Sequence, residues 1–133
     1  MLDLILCVDD DPITLMLCKK VITKASFSNS IITAKNGEEA LQHFDNFIEN
    51  KTNDQLPQLI LLDLNMPVMD GWEFLDNFST KKYSQLHEST KIVVLSSTID
   101  PEDLQKSKKY EMVIDFLSKP ITTDMLDYLK SRL

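Results

Sequence analysis

The chain has 133 residues, enough for one domain (1–133) that buries a real core without disulfide or metal staples. Hydrophobic residues make up 43% and charged residues 26%, ordinary for a soluble globular protein. The net charge of -7 argues against direct binding of nucleic acid, which needs a basic face.

Leu4 to Val8 is a compact apolar run that reads as a buried strand, ending on Asp9, Asp10 and Asp11. Asp11-Pro12 then opens a helix, because Asp is a good N-cap and proline suits the first helical position. Ile13, Met16, Leu17 and Val21 carry it to about Ala25. Ser30 to Ala34 is a short β-branched strand, Asn36-Gly37 a turn, and Leu41, Phe44, Phe47 and Ile48 mark a second helix. Residues 50 to 57 are polar and read as a surface loop.

Leu59 to Leu62 is the third strand and runs into Asp63. Asp70-Gly71 opens a third helix with Trp72, Phe74, Leu75 and Phe78 as its apolar positions. Lys81 to Thr90 reads as a polar connection, and Ile92 to Leu95 as the fourth strand. Asp100-Pro101 repeats the cap-plus-proline device for a fourth helix, whose face carries Lys106, Lys108 and Lys109. Met112 to Leu117 is a fifth strand, interrupted by Asp115, and Thr122 to Leu133 a closing amphipathic helix. Strand and helix thus alternate five times, which argues for an α/β fold with a parallel sheet covered on both faces.

Cys7 and Cys18 lie in apolar stretches and read as small buried hydrophobes, with no zinc spacing and no disulfide framework. The methionines read as core filler, and His43 and His87 as solvated surface. The N-terminus lacks a basic flank and a small-residue cleavage site, and no apolar run approaches the roughly 20 residues of a membrane helix. The chain therefore reads as cytoplasmic.

In open α/β sheets, ligands bind outside the carboxyl ends of the strands. Asp9, Asp10 and Asp11 stand at the first such end, Asp63 and Asn65 at the third, Ser96, Ser97 and Thr98 at the fourth, and Ser118 and Lys119 at the fifth. Neighbouring strands would bring three carboxylates, a hydroxyl and an ammonium into one pocket. Like charges there raise one another's pKa unless a cation compensates them. Mg²⁺ suits an all-oxygen set, with Mn²⁺ as an alternative, and no Cys or His is placed for a softer metal. Asp10 and Asp63 are candidate direct ligands, Asp9 a direct or water-mediated one, and the Asn65 backbone carbonyl completes the set. Such a pocket suits phosphoryl transfer, with Asp63 as the carboxylate nucleophile, Lys119 neutralising charge and Ser96 donating a hydrogen bond.

Four stretches in order, VDDDP at 8–12, LLDLNMPVMDG at 61–71, VLSS at 94–97 and SKP at 118–120, resemble the receiver domain of two-component response regulators. The resemblance spans essentially the whole chain and implies a flavodoxin-like, CheY-like (βα)5 fold with strand order 2-1-3-4-5. It implies Asp63 as phosphoacceptor, Asp9, Asp10 and the Asn65 carbonyl at Mg²⁺, Ser96 as switch hydroxyl and Lys119 as the phosphate-pairing lysine. It further implies a cis Lys119-Pro120 bond, Phe116 as the aromatic that swings inward on activation, and Asn65 and Thr98 as positions that tune the phosphate lifetime. The implied phosphodonor is a sensor histidine kinase or a His phosphotransfer protein. The implied output is the helix 4–strand 5–helix 5 surface, read by a downstream protein and not by nucleic acid or membrane. The closing helix at the C-terminus reads as that of a stand-alone receiver.

Three details depart from the common pattern: Ser96 replaces the commoner Thr, and the connections over 49–58 and 79–91 are long. Two other functions fit less well. A phosphatase turning over through an aspartyl phosphate wants a second acid where Asn65 stands, so an enzyme acting on an external substrate is not expected. A phosphorylation-independent binding module usually loses pocket residues, and this chain keeps them.

Overall fold

The protein is described by a computed structural model over residues 1–50 and 55–133. Five strands alternate with helices: β1 (Leu2–Val8), α1 (Pro12–Lys24), β2 (Ser28–Ala34), α2 (Gly37–Asn50), β3 (Leu59–Leu62), α3 (Gly71–Phe78), β4 (Lys91–Ser96), α4 (Pro101–Ser107), β5 (Val113–Ser118) and α5 (Thr123–Lys130). The strands form one sheet of order β2-β1-β3-β4-β5, and every pairing is parallel. The alternating α/β pattern and the strand order both match expectation.

Successive strand residues serve opposite layers, as the two-residue period of a strand requires. Leu6, Val8, Ile60, Leu62 and Ile92 join Phe44, Phe74 and Phe78 in one layer. Ile5, Cys7, Leu59, Leu61, Val93 and Leu95 join Ile22, Leu126 and Leu129 in the other. Burial on both faces explains why these strands read as unbroken apolar runs rather than as alternating ones. Cys7 and Cys18 are buried and free, as expected. Of the methionines, Met66 and Met112 are core, whereas Met16 is 47% exposed.

The helix starts follow the caps read from the sequence. Asp11 accepts the Ile13 amide at 2.9 Å with Pro12 at the first helical position. Asp70 and Glu73 form a reciprocal capping box. Asp100 accepts from the Glu102 amide, and Thr122 from the Met125 amide. Helix α4 ends sooner than its lysine run suggested: Lys108 is its C-cap, and Lys109 lies beyond it.

The connection after α3 differs from expectation. Residues Lys81–Leu86 form a 3-10 helix that buries Tyr83 and Leu86. Tyr83 donates to Asp45 of α2, and its ring lies 5.5 Å from that of Phe78. His87 is not simply solvated: its Nε2 lies 2.6 Å from the Phe78 carbonyl, and its ring packs 5.0 Å from the Phe78 ring. These apolar anchors, three residues apart, make the segment part of the core layer. His43 is exposed, as expected. Of the polar loop expected over 50–57, residues 51–54 lie outside the described residues, Asn50 closes α2, and Pro57 is buried. No described helix is long and apolar enough to cross a membrane.

Candidate functional site: an acidic pocket at the carboxyl edge of the sheet

Because β1 and β3 are parallel neighbours, with Val8 opposite Leu62, the residues that follow them leave the sheet side by side. The Asp63 amide donates to the Val8 carbonyl at 3.0 Å, and the Asp9 amide to the Ala34 carbonyl at 3.1 Å, which fixes both backbones. On the far side, Lys119 follows β5, and its amide donates to the Ser96 carbonyl at 2.8 Å. Its side chain reaches back over the end of β4. The Lys119-Pro120 bond is cis, as expected.

Asp9 and Asp63 are buried, and Asp10 is exposed. Each offers a carboxylate oxygen, and the three oxygens lie within 4.8 Å of one another. Lys119 Nζ stands 2.5 Å from Asp9 Oδ2 and 3.2 Å from Asp63 Oδ1. The ammonium is thus shared between two acids, and its shorter contact is to Asp9. Asp9 is further held by the Asp11 amide on its Oδ1 at 2.9 Å.

Burial pushes the Asp63 carboxyl above the usual range, and the Asp9 charge adds to this; Lys119 and the Asn65 amide pull the other way without cancelling it. For Lys119, burial works to lower the pKa, but the Asp9 hydrogen bond and the charges of both acids outweigh it, so the ammonium is held more firmly than usual. The pocket therefore carries acid beyond what its one lysine compensates. Its donors are all oxygens, which fits a hard divalent cation such as Mg²⁺ better than a thiol- or imidazole-seeking metal.

The remaining candidate residues lie on β4 and β5 or in the segments that leave the same edge of the sheet. Ser96 is buried at the end of β4, next to β3, and its Oγ accepts weakly from the Thr98 amide at 3.4 Å. Asn65 and Thr98 are both exposed at the mouth. Phe116 sits below it on β5, 7% exposed, packed with Leu64, Val94, Leu104 and Trp72. Phe116 is therefore buried rather than exposed to solvent.

Two features of the β3–α3 segment hold Asp63 in place. Gly71 donates its amide to the Leu64 carbonyl at 2.9 Å. A Cβ on Gly71 would lie 2.5 Å from the Asp63 carbonyl oxygen and 2.8 Å from Leu64 Cα, so only glycine lets α3 start this close to the strand end. Val68 has φ 68°, and the Met69 amide closes a three-residue turn on the Pro67 carbonyl at 2.7 Å. A β-branched residue in that conformation is strained. The sequence carried no sign of it beyond the preceding proline.

The response regulator receiver domain profile matches residues 5–129. The chain belongs to the response regulator receiver family. A two-component response regulator from Cytophaga hutchinsonii superposes on this receiver with a TM-score of 0.89 at 27% identity, covering 98% of this chain and 96% of that one. A two-component response regulator of Arabidopsis thaliana is 32% identical over 118 residues, 89% of this chain and 74% of its own. A probable C4-dicarboxylate response regulator of Halalkalibacterium halodurans is 28% identical over 122 residues, 92% of this chain. The receiver spans 47% of the length of that last relative.

Proposed function

We propose that this receiver accepts a phosphoryl group on Asp63 in a two-component or phosphorelay pathway of the cytoplasm. The observation that carries the reading is the convergence of Asp9, Asp10 and Asp63 oxygens within 4.8 Å, beside a lysine 3.2 Å from Asp63. The donor is the phosphohistidine of a sensor histidine kinase or a His phosphotransfer protein. The Asp63 carboxylate oxygen forms the new O–P bond while the P–N bond breaks, and the imidazole nitrogen keeps the electron pair and takes up a proton. Bound at Asp9, Asp10, Asp63 and the Asn65 carbonyl, Mg²⁺ (or Mn²⁺) would neutralise charge on the phosphoryl oxygens.

The protein's own groups divide the remaining work. Asp63 is held by the strand end and the Gly71 contact, so the nucleophile is pre-positioned. Lys119 shifts its hydrogen bonds from the carboxylates to the incoming phosphoryl oxygens. Ser96 donates its hydroxyl to one of them, which draws the β4–α4 loop inward and carries the change past Phe116 to the α4–β5–α5 surface, where a downstream protein binds. Asn65 and Thr98, exposed at the mouth, set how easily water reaches the aspartyl phosphate. Exposed apolar side chains at the carboxyl edge of the sheet, Ile13 (62%), Val68 (73%) and Ile99 (51%), give the donor a surface to rest on. The receiver modifies its own Asp63 and does not turn over an external substrate.

The test is to treat the protein with acetyl phosphate and Mg²⁺, reduce the acyl phosphate with borohydride and map the peptides. Conversion of residue 63 to homoserine supports the reading. Conversion at Asp9 or Asp10 instead would move the acceptor.

A further inference from the structure

Helix α4 is thinly anchored. Of Pro101–Ser107, only Ser107 is buried, with Asp103 and Leu104 half-buried, whereas the adjacent α3 buries Gly71, Phe74, Leu75 and Phe78. What ties α4 and the turn after it to α3 is a set of contacts centred on Trp72 and Asp76. The Lys106 ammonium stands 4.3 Å above the centroid of the Trp72 ring. The Tyr110 ring lies 6.2 Å from Trp72 at 31°, and the Tyr110 hydroxyl donates to Asp76 Oδ1 at 2.5 Å. Trp72 also packs against the small cluster of Leu64, Val94 and Phe116, to which Leu104 of α4 adds the other wall.

This arrangement connects the acidic pocket to α4 by unbroken contact. Leu64 directly follows Asp63 in the chain, and Phe116 and Trp72 share its cluster. A displacement of Phe116 or Leu64 removes support from one side of Trp72, which also packs on the main aromatic core layer and contacts Lys106 and Tyr110. A helix with so little buried apolar surface opens at low cost once polar ties of this kind are lost.

We propose that the Lys106–Trp72 and Tyr110–Asp76 contacts form a latch that sets the resting position of α4, and that modification of Asp63 is coupled to its release. The inference rests on the phosphoacceptor reading above and adds to it the elements that resist the switch. Coupling of this kind is reciprocal: if occupancy of the pocket loosens the latch, loosening the latch by mutation tightens binding at the pocket by the same factor.

Lys106 and Tyr110 are not pocket residues, so Lys106→Gln and Tyr110→Phe leave the chemistry of the pocket untouched and leave Trp72 in place. The probe is beryllofluoride with excess Mg²⁺, titrated by calorimetry into the wild type, each variant, the double variant and a remote control, Lys130→Gln on α5. The latch predicts tighter binding by about three- to fivefold in each single variant, from the usual strength of a cation–π contact or a single hydrogen bond, and by about tenfold or more in the double. Lys130→Gln should match the wild type. Hydrogen exchange of the amides over 101–110 should rise in the wild type when beryllofluoride is added, and in the variants without it. A purely structural role for these contacts would leave affinity unchanged or weaken it, and either result overturns the latch while leaving the phosphoacceptor reading intact. Failure of the wild type to bind beryllofluoride at all overturns both.

Discussion

The Lys119 ammonium is closer to Asp9 than to Asp63, 2.5 Å against 3.2 Å. A single cation is thus shared between two buried acids, and in the absence of metal it is the main thing that permits them to sit together. The same ammonium has to be available to a phosphoryl group on Asp63. The resting pocket therefore holds its lysine in an internal pairing that substrate and metal must replace.

Removing that cation should expose the cost. Lys119→Met leaves Asp9 and Asp63 facing each other with no counter-charge, and we expect a loss of about 2 kcal/mol in metal-free buffer. Millimolar Mg²⁺ should restore much of it, because the ion binds only the folded arrangement. Urea unfolding of wild type and variant, with EDTA and with Mg²⁺, gives the comparison. Equal midpoints with EDTA would show that the pairing adds nothing.

Asp63→Asn should have the opposite sign. Burial, aided by Asp9, holds the Asp63 carboxyl above its unfolded value, so ionisation of this group favours the unfolded chain. Wild-type stability associated with it is greatest when the carboxyl is protonated and falls as pH rises through the raised pKa. A permanently neutral amide avoids that loss, and the urea midpoint of Asp63→Asn at pH 7 with EDTA should exceed that of the wild type. A lower midpoint would mean that the Lys119 contact outweighs burial.

Gly71→Ala tests the close approach of α3 to the acceptor strand. The added methyl meets backbone at 2.5 and 2.8 Å, which cannot rotate away. We expect about 2–3 kcal/mol of destabilisation, the range of overpacked sites, and slower labelling of Asp63 in the folded fraction. An unchanged thermal midpoint and labelling rate would show that the helix start can shift freely.

The Tyr110–Asp76 hydrogen bond should show in alkali. Burial, with the Asp76 bond second, pushes the Tyr110 hydroxyl up to about 12. Its folded pKa is above the unfolded value near 10, so its contribution is complete below about pH 10 and is lost as pH climbs toward 12. Wild type should be more stable than Tyr110→Phe at pH 8, with the gap closing over that window. A gap independent of pH would separate the stability from the hydroxyl.

Much of this architecture was legible in the sequence because its signals are local. The apolar run Leu59 to Leu62 coincides with the third strand, since a fully buried parallel strand is an apolar run ended by a polar residue. Asp9, Asp10, Asp63 and Lys119 converge because each ends or follows a strand, and strand order does the rest; Ser96 ends the strand between Asp63 and Lys119. What sequence reading missed depends on partners far away in the chain. Tyr83 and Leu86 lie among lysines and serines, so their burial against Asp45 and Phe78 had no local trace except three-residue spacing. Asp115 looked like an interruption of β5. There, at a bulge of the edge strand, it takes up the Phe116 amide and the Arg132 guanidinium. Strand two starts at Ser28, opposite Leu2, two residues before the β-branched run that the sequence shows from Ser30, because Ser28 and Asn29 carry no strand signal.

The proposed switch depends first on Asp63 being a metal-dependent phosphoacceptor. The most direct measurement is intact-protein mass after incubation with acetyl phosphate and Mg²⁺, beside Asp63→Asn and a sample containing EDTA. One phosphoryl group should be added in the wild type and in neither control. The same adduct persisting in Asp63→Asn or in EDTA would contradict that role.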